Sequence, residues 1–118
     1  MLIADDSSTM RKIIKNILTG IGVQKILEAQ DGVEALRKVE ECHIDVILTD
    51  WNMPRMNGLE FIKNIRSKKE LDNTKIIVIT AEGSGKVEPA LEAGANGFLY
   101  KPFNTNKLRE VLEGITSK

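Results

Sequence analysis

Short apolar runs alternate five times with segments of helical periodicity along this chain, and that alternation restricts its fold more than any other feature. Ile3-Ala4 ends a first run that stops at Asp5-Asp6. Met10, Ile13, Ile14, Ile17 and Leu18 then fall at helical spacing until Gly20 and Gly22, with Ser7, Ser8 and Thr9 as capping hydroxyls. Residues 26–29 read as a second strand, Asp31-Gly32 as a turn, and Val33, Leu36 and Val39 as the apolar face of a second helix. Ile44 to Thr49 is nearly all apolar, as a strand covered on both faces should be, and ends at Asp50. The loop Trp51 to Gly58 has Pro54 and Asn57-Gly58 as turn formers. Leu59, Ile62 and Ile65 mark a third helix, and Lys75 to Thr80 a fourth strand. Gly83, Gly85 and Pro89 delay a fourth helix to about Lys86, and Gly94 closes it. Phe98 to Tyr100 is a fifth strand ending at Lys101-Pro102; Leu108, Val111, Leu112 and Ile115 mark the last helix.

Strands that alternate with helices form a parallel sheet covered on both faces. Right-handed crossovers and short connections then point to a doubly wound α/β fold of the flavodoxin-like kind: a five-stranded parallel sheet in the order 2-1-3-4-5, with five helices. At 118 residues the expectation is a single domain over 1–118. Seventeen basic residues balance seventeen acidic ones, which argues against nucleic acid or an anionic membrane as a partner. One cysteine, Cys42, excludes an internal disulfide, and with only one histidine, His43, most zinc chemistry is out of reach. No apolar run is long enough to span a bilayer and no leader pattern opens the chain, so a cytoplasmic monomer is expected.

In such a sheet the site lies at the carboxyl ends of the strands, where the order reverses between strands 1 and 3. Those ends carry Asp5-Asp6, Asp50, Thr80 and Lys101. Three carboxylates in one crevice repel one another unless a cation intervenes, and Lys101 alone leaves excess negative charge. A hard divalent ion held by oxygens, with water positions to spare, suits Mg²⁺. Mg²⁺, a carboxylate, a hydroxyl and a lysine together suit phosphoryl transfer. Asp50, ending the central strand, is the candidate nucleophile, and Asp5 and Asp6 are mainly metal ligands.

Asp5-Asp6-Ser7-Ser8-Thr9-Met10-Arg11, Thr49-Asp50-Trp51-Asn52-Met53-Pro54, Asn57-Gly58, Thr80-Ala81-Glu82 and Lys101-Pro102-Phe103 resemble the receiver domain of two-component response regulators, along the whole chain and in order. The Trp51 to Pro54 and Ser8 to Arg11 segments are most similar to its stand-alone chemotaxis members. The resemblance implies that Asp50 is the phosphoacceptor for a sensor histidine kinase. It implies Mg²⁺ on Asp5, Asp50 and the main-chain carbonyl of Asn52, with Asp6 acting through water. Thr80 and Lys101 would contact the phosphoryl oxygens, and Lys101-Pro102 would be a cis peptide. Thr80 and Phe98 would form the switch, with Phe98 where the family often has Tyr. The face made by helix 4, strand 5 and helix 5 would then bind a target, for a chemotaxis member the flagellar motor switch protein, and a phosphatase is a further partner class. Hydrolysis would be slow self-dephosphorylation, tuned near Asn52 and Glu82, which makes the chain a switch and not a turnover enzyme.

Two alternatives stay open: a receiver domain cut from a larger regulator, and a Mg²⁺-dependent phosphohydrolase. The second would want Asp at position 52, where this chain has Asn. A flavodoxin-like electron carrier is disfavoured because Asp5 and Asp6 would repel a phosphate at the first loop. His43 is expected on a surface loop and Cys42 to be partly buried. Gly83-Ser84-Gly85-Lys86 lacks the first Gly and the final Ser/Thr of a nucleotide loop and is expected to be mobile.

Overall fold

The computed structural model describes residues 1–81 and 83–116, so Glu82 lies outside the described residues. Its elements are β1 (Leu2–Ala4), α1 (Ser8–Gly20), β2 (Leu27–Ala29), α2 (Gly32–Glu41), β3 (Val46–Asp50), α3 (Gly58–Arg66), a 3₁₀ turn (Lys69–Leu71), β4 (Lys75–Ala81), α4 (Val87–Ala93), β5 (Gly97–Lys101) and α5 (Thr105–Thr116). The five strands are all parallel and ordered β2-β1-β3-β4-β5, as expected from the sequence.

Side chains alternate across the sheet and divide the core in two. Leu2, Ala4, Ile47, Ile76 and Val78 face one layer with Ala35 and Val39 of α2, Phe61, Ile62 and Ile65 of α3, and Ala90 of α4. Ile3, Leu48, Ile77 and Ile79 face the other, with Ile14 and Leu18 of α1 and Leu108 and Leu112 of α5. The apolar run of β4 is thus buried on both faces, which is why it reads as continuous rather than alternating.

Several local expectations change. Asp31-Gly32 and Asn57-Gly58 are not free-standing turns. Asp31 caps α2 through the Glu34 amide at 2.8 Å, and Asn57 caps α3 in a box with Glu60. Ile13 and Val33 fall on solvent faces, while Phe61 and Ala35 take core positions. Cys42 is exposed, not partly buried, because its backbone caps α2 in extended conformation at the chain's exit toward β3. His43 is exposed as expected and contacts Asp45 at 2.8 Å. Helix α4 starts at Val87, after Gly83 and Gly85 adopt positive φ, and ends at left-handed Gly94.

One unforeseen cation secures the far end of the sheet. Arg66, at the end of α3, donates to the carbonyls of Gly94 (3.0 Å), Leu71 (3.0 Å) and Thr74 (2.8 Å), and to Asn96 Oδ1 (2.8 Å). Asn96 Oδ1 also accepts the Ile76 amide at 2.9 Å, so one network joins α3, the entry to β4 and the segment between α4 and β5.

Candidate functional site

The sheet order places β1 beside β3, with Ala4 opposite Thr49, so the residues that follow both strands emerge into one crevice. Asp5, Asp6 and Asp50 each present a carboxylate oxygen within 4.8 Å of the others. Asp5 and Asp50 are buried and Asp6 is exposed. Across the β4–β5 pair Thr80 lies opposite Tyr100 and Ala81 opposite Lys101, which brings Lys101 to the same edge. Its Nζ stands 3.4 Å from Asp50 Oδ1, and the Lys101–Pro102 peptide is cis.

Asp5 is the most constrained of the three acids. Its Oδ1 accepts the Ser7 amide at 2.9 Å, and its own carbonyl accepts from Arg11 Nη1 at 2.6 Å. Arg11 is itself paired with Glu28 at 3.2 Å. Asp5 Oδ2 is buried and has no hydrogen-bond partner among the described residues. Burial pushes the Asp5 carboxyl above its ordinary range; the Ser7 amide opposes this, and the charge of Asp50 adds to it. A buried, orphaned carboxylate oxygen beside two other acids is the environment that a hard cation satisfies, so the donor set fits Mg²⁺.

The β4–α4 segment closes one side. The hydroxyls of Thr80 and Ser84 are 3.0 Å apart, and Ser84 Oγ accepts the Lys86 amide at 3.3 Å. Lys86 Nζ lies 5.2 Å from the centre of the Trp51 ring, a cation–π contact next to Asp50. Trp51 itself is buried.

Asn52 sits in the β3–α3 loop with an exposed side chain. Gly58 ends that loop where a Cβ would stand 2.7 Å from the Asp50 carbonyl, so only glycine lets α3 begin this close to β3. Phe98 is on β5, 37% exposed, with its ring centre 5.2 Å from that of Tyr100. It faces outward here. The structure therefore brings Asp5, Asp6, Asp50 and Lys101 together, sets Thr80 beside them on the neighbouring strand end, and leaves Phe98 outside the crevice. The Ser84 and Lys86 contacts went unforeseen because they join residues of a glycine-containing loop that has no periodicity to read.

Comparison with known proteins agrees with this geometry. The family model described as the response regulator receiver domain matches residues 1–113. A chemotaxis protein CheY homolog of Campylobacter jejuni is 50% identical over 120 residues, covering 98% of this chain and 90% of that one. Chemotaxis protein CheY1 of Helicobacter pylori is 49% identical over 118 residues, covering 98% and 94%. Among solved structures, CheY4 of Vibrio cholerae superposes with a TM-score of 0.88 at 37% identity, covering 97% of this chain and 95% of that chain. The receiver domain of a sensor histidine kinase from Pseudomonas aeruginosa, described with a magnesium ion coordinated in its active-site cleft, superposes with a TM-score of 0.90 at 29% identity, covering 99% and 96%. With a family match over nearly the whole chain and the acid crevice in the expected place, this chain belongs to the response regulator receiver domain family, and within it is similar to the CheY chemotaxis proteins.

Proposed function

We propose that this receiver domain is a phosphorylation-activated switch in which Asp50 is the phosphoacceptor. An Asp50 oxygen attacks the phosphorus of a phosphohistidine on a sensor histidine kinase. The P–N bond breaks, its electron pair stays on the imidazole, and an acyl phosphate forms on Asp50. Asp5, Asp50 and the Asn52 main-chain carbonyl would hold Mg²⁺, with Asp6 acting through water. The ion neutralises charge on the transferring phosphoryl oxygens when bound. Lys101, 3.4 Å from Asp50, supplies a second positive charge, and the Thr80 hydroxyl donates to a phosphoryl oxygen. The observation that carries this reading is the orphaned, buried Asp5 Oδ2 beside Asp50, with Lys101 3.4 Å from Asp50.

Drawing Thr80 toward the phosphoryl group gives Phe98 room to turn inward, and its apolar ring needs no polar partner once buried. The surface of α4, β5 and α5 is the output face, and a groove there is lined in part by Phe98, Tyr100, Val111 and Ile115. The target is the flagellar motor switch protein, and the setting is the cytoplasm. Water attacking the acyl phosphate resets the switch slowly.

The test is Mg²⁺-dependent labelling by a small acyl or amido phosphodonor. Hydroxylamine-labile label on the wild type and none on Asp50→Asn supports the assignment. Label that survives Asp50→Asn overturns it, and steady turnover of simple phosphate esters would favour a phosphohydrolase instead.

A further inference from the structure

Arg55 is the non-glycine residue at positive φ among the described residues, at +66°. Left-handed backbone is sterically unfavourable for a side chain of this size, so some other contact must hold it there. Two contacts do so: the Met56 amide donates to the Pro54 carbonyl across it at 2.7 Å, and its side chain is held by Asp31, the cap of α2. Arg55 Nε donates to Asp31 Oδ2 at 3.0 Å and Nη2 to Oδ1 at 3.2 Å, a two-pronged pair across 24 positions of sequence. Asp31 is buried, and its Oδ1 also accepts the Glu34 amide at 2.8 Å. The Arg55 side chain is 58% exposed, but its fork falls on a buried, already anchored carboxylate, which defines the attachment better than a single-pronged pair between two exposed side chains.

The attachment lies at the tip of the loop that begins immediately after Asp50. The Gly58 amide donates to the Trp51 carbonyl at 2.7 Å and the Met56 amide to the Pro54 carbonyl at 2.7 Å, which closes the loop on itself. At its outer side a Cβ on Gly32 would stand 2.6 Å from Met56 Cβ, so the loop rests directly on the first residue of α2. Asn52 lies between the Trp51–Gly58 closure and the Arg55 fork, with Pro54 limiting the freedom of the chain between them.

We infer that Arg55 is a positioning residue for the Mg²⁺ site: its fork onto Asp31 seats the β3–α3 loop on the N-terminus of α2 and so aims the Asn52 main-chain carbonyl at the acid crevice. This rests on the proposed reading of Asn52 as a ligand. It assigns to α2, which contributes no ligand of its own, a role in setting metal affinity. The sign of the effect separates geometry from charge. Removing a positive residue near a cation site should by itself tighten cation binding. Loss of loop alignment should weaken it.

The experiment is a Mg²⁺ titration followed by Trp51 fluorescence, on the whole chain, with melting of each variant recorded alongside. Arg55→Ala, Arg55→Gly and Asp31→Asn should each weaken Mg²⁺ binding by about tenfold, the low end of what loss of a ligand-orienting contact produces. Asn at position 31 retains the helix cap; its lost negative charge weakens cation binding in the same direction as lost alignment, so the Arg55 variants, where the two signs oppose, decide between them. The double variant Arg55→Ala/Asp31→Asn should be no weaker than either single one, because both remove the same attachment. Arg55→Gly should melt above Arg55→Ala, since glycine accepts the left-handed backbone, yet bind Mg²⁺ no better. Wild-type or tighter affinity in both Arg55 variants overturns the inference alone, and so does affinity that follows melting temperature. A wild type whose fluorescence ignores Mg²⁺, or an Asp50→Asn variant that responds like the wild type, overturns the metal reading and this inference with it.

Discussion

Replacing Asp5 by Asn should stabilise the metal-free protein while removing its response to Mg²⁺. The side chain is nearly isosteric, and its Oδ1 can go on accepting the Ser7 amide, now 2.9 Å away. The Asn amide, placed where Oδ2 is orphaned, can donate to a neighbouring acid. Two unit charges at the 4.8 Å limit of this cluster repel by about 3.5 kcal/mol at an effective dielectric near 20. Lys101, 3.4 Å from Asp50, already offsets part of that repulsion, and the exposed side of Asp6 admits solvent screening. A net gain of about 1–2 kcal/mol is therefore expected at neutral pH and low salt. For a domain of this size that corresponds to a melting temperature about 4–8 °C higher. Mg²⁺ at tenfold its dissociation constant should stabilise the wild type by about 1.4 kcal/mol, and Asp5→Asn by much less. Thermal or urea unfolding of both proteins, with and without Mg²⁺, measures all four states. An Asp5→Asn protein that melts at or below the wild type without Mg²⁺ would refute the account of the cluster as mutually repelling. Equal Mg²⁺ stabilisation of the two would refute Asp5 as a ligand.

Arg66→Ala should lower stability by about 3 kcal/mol, because it leaves the Gly94, Leu71 and Thr74 carbonyls and Asn96 without their shared donor; urea unfolding that loses under 1 kcal/mol would discount the network. Metal-free stability should have its maximum on the acid side of neutral. The raised folded-state carboxyl of Asp5 binds protons more tightly than the unfolded one, so its penalty is relieved as pH falls through that raised value. Asp31 has the opposite sign: burial disfavours its charge, but the Glu34 amide and Arg55 together hold its carboxyl below the ordinary range. Its contribution is present above the unfolded value and is lost as pH falls through the folded one, so stability should decline again at still lower pH. Asp5→Asn should remove the first effect and Asp31→Asn the second in melts across pH, and saturating Mg²⁺ should move the maximum back toward neutral.

The alternation of five apolar runs with five amphipathic segments determined the parallel sheet and its strand order, because short right-handed crossovers leave few other ways to bury those runs. It also determined the acid crevice: Asp5, Asp50 and Lys101 are strand-end residues, and strand ends in a parallel sheet share one edge. Even the start of α4 was legible, since Gly83, Gly85 and Pro89 act through backbone propensities that need no partner. What the sequence left open is set by contacts between distant segments. Periodicity marks Ile13 and Val33 as apolar helix positions, yet each is exposed because the neighbouring elements cover a narrower stripe than the pattern offers. Asp31-Gly32 and Asn57-Gly58 read from sequence as turns, and it is the Glu34 and Glu60 amides, brought within reach by α2 and α3, that make them helix starts. Arg55 and Arg66 look in sequence like surface cations. Their long side chains can reach many partners, and whether they meet the Asp31 carboxylate and the Gly94 carbonyl, 24 and 28 positions away in chain order, depends on how the helices settle on the sheet. The same holds for Asp5 Oδ2, whose lack of a partner among the described residues is a property of the packed crevice and of no segment taken alone.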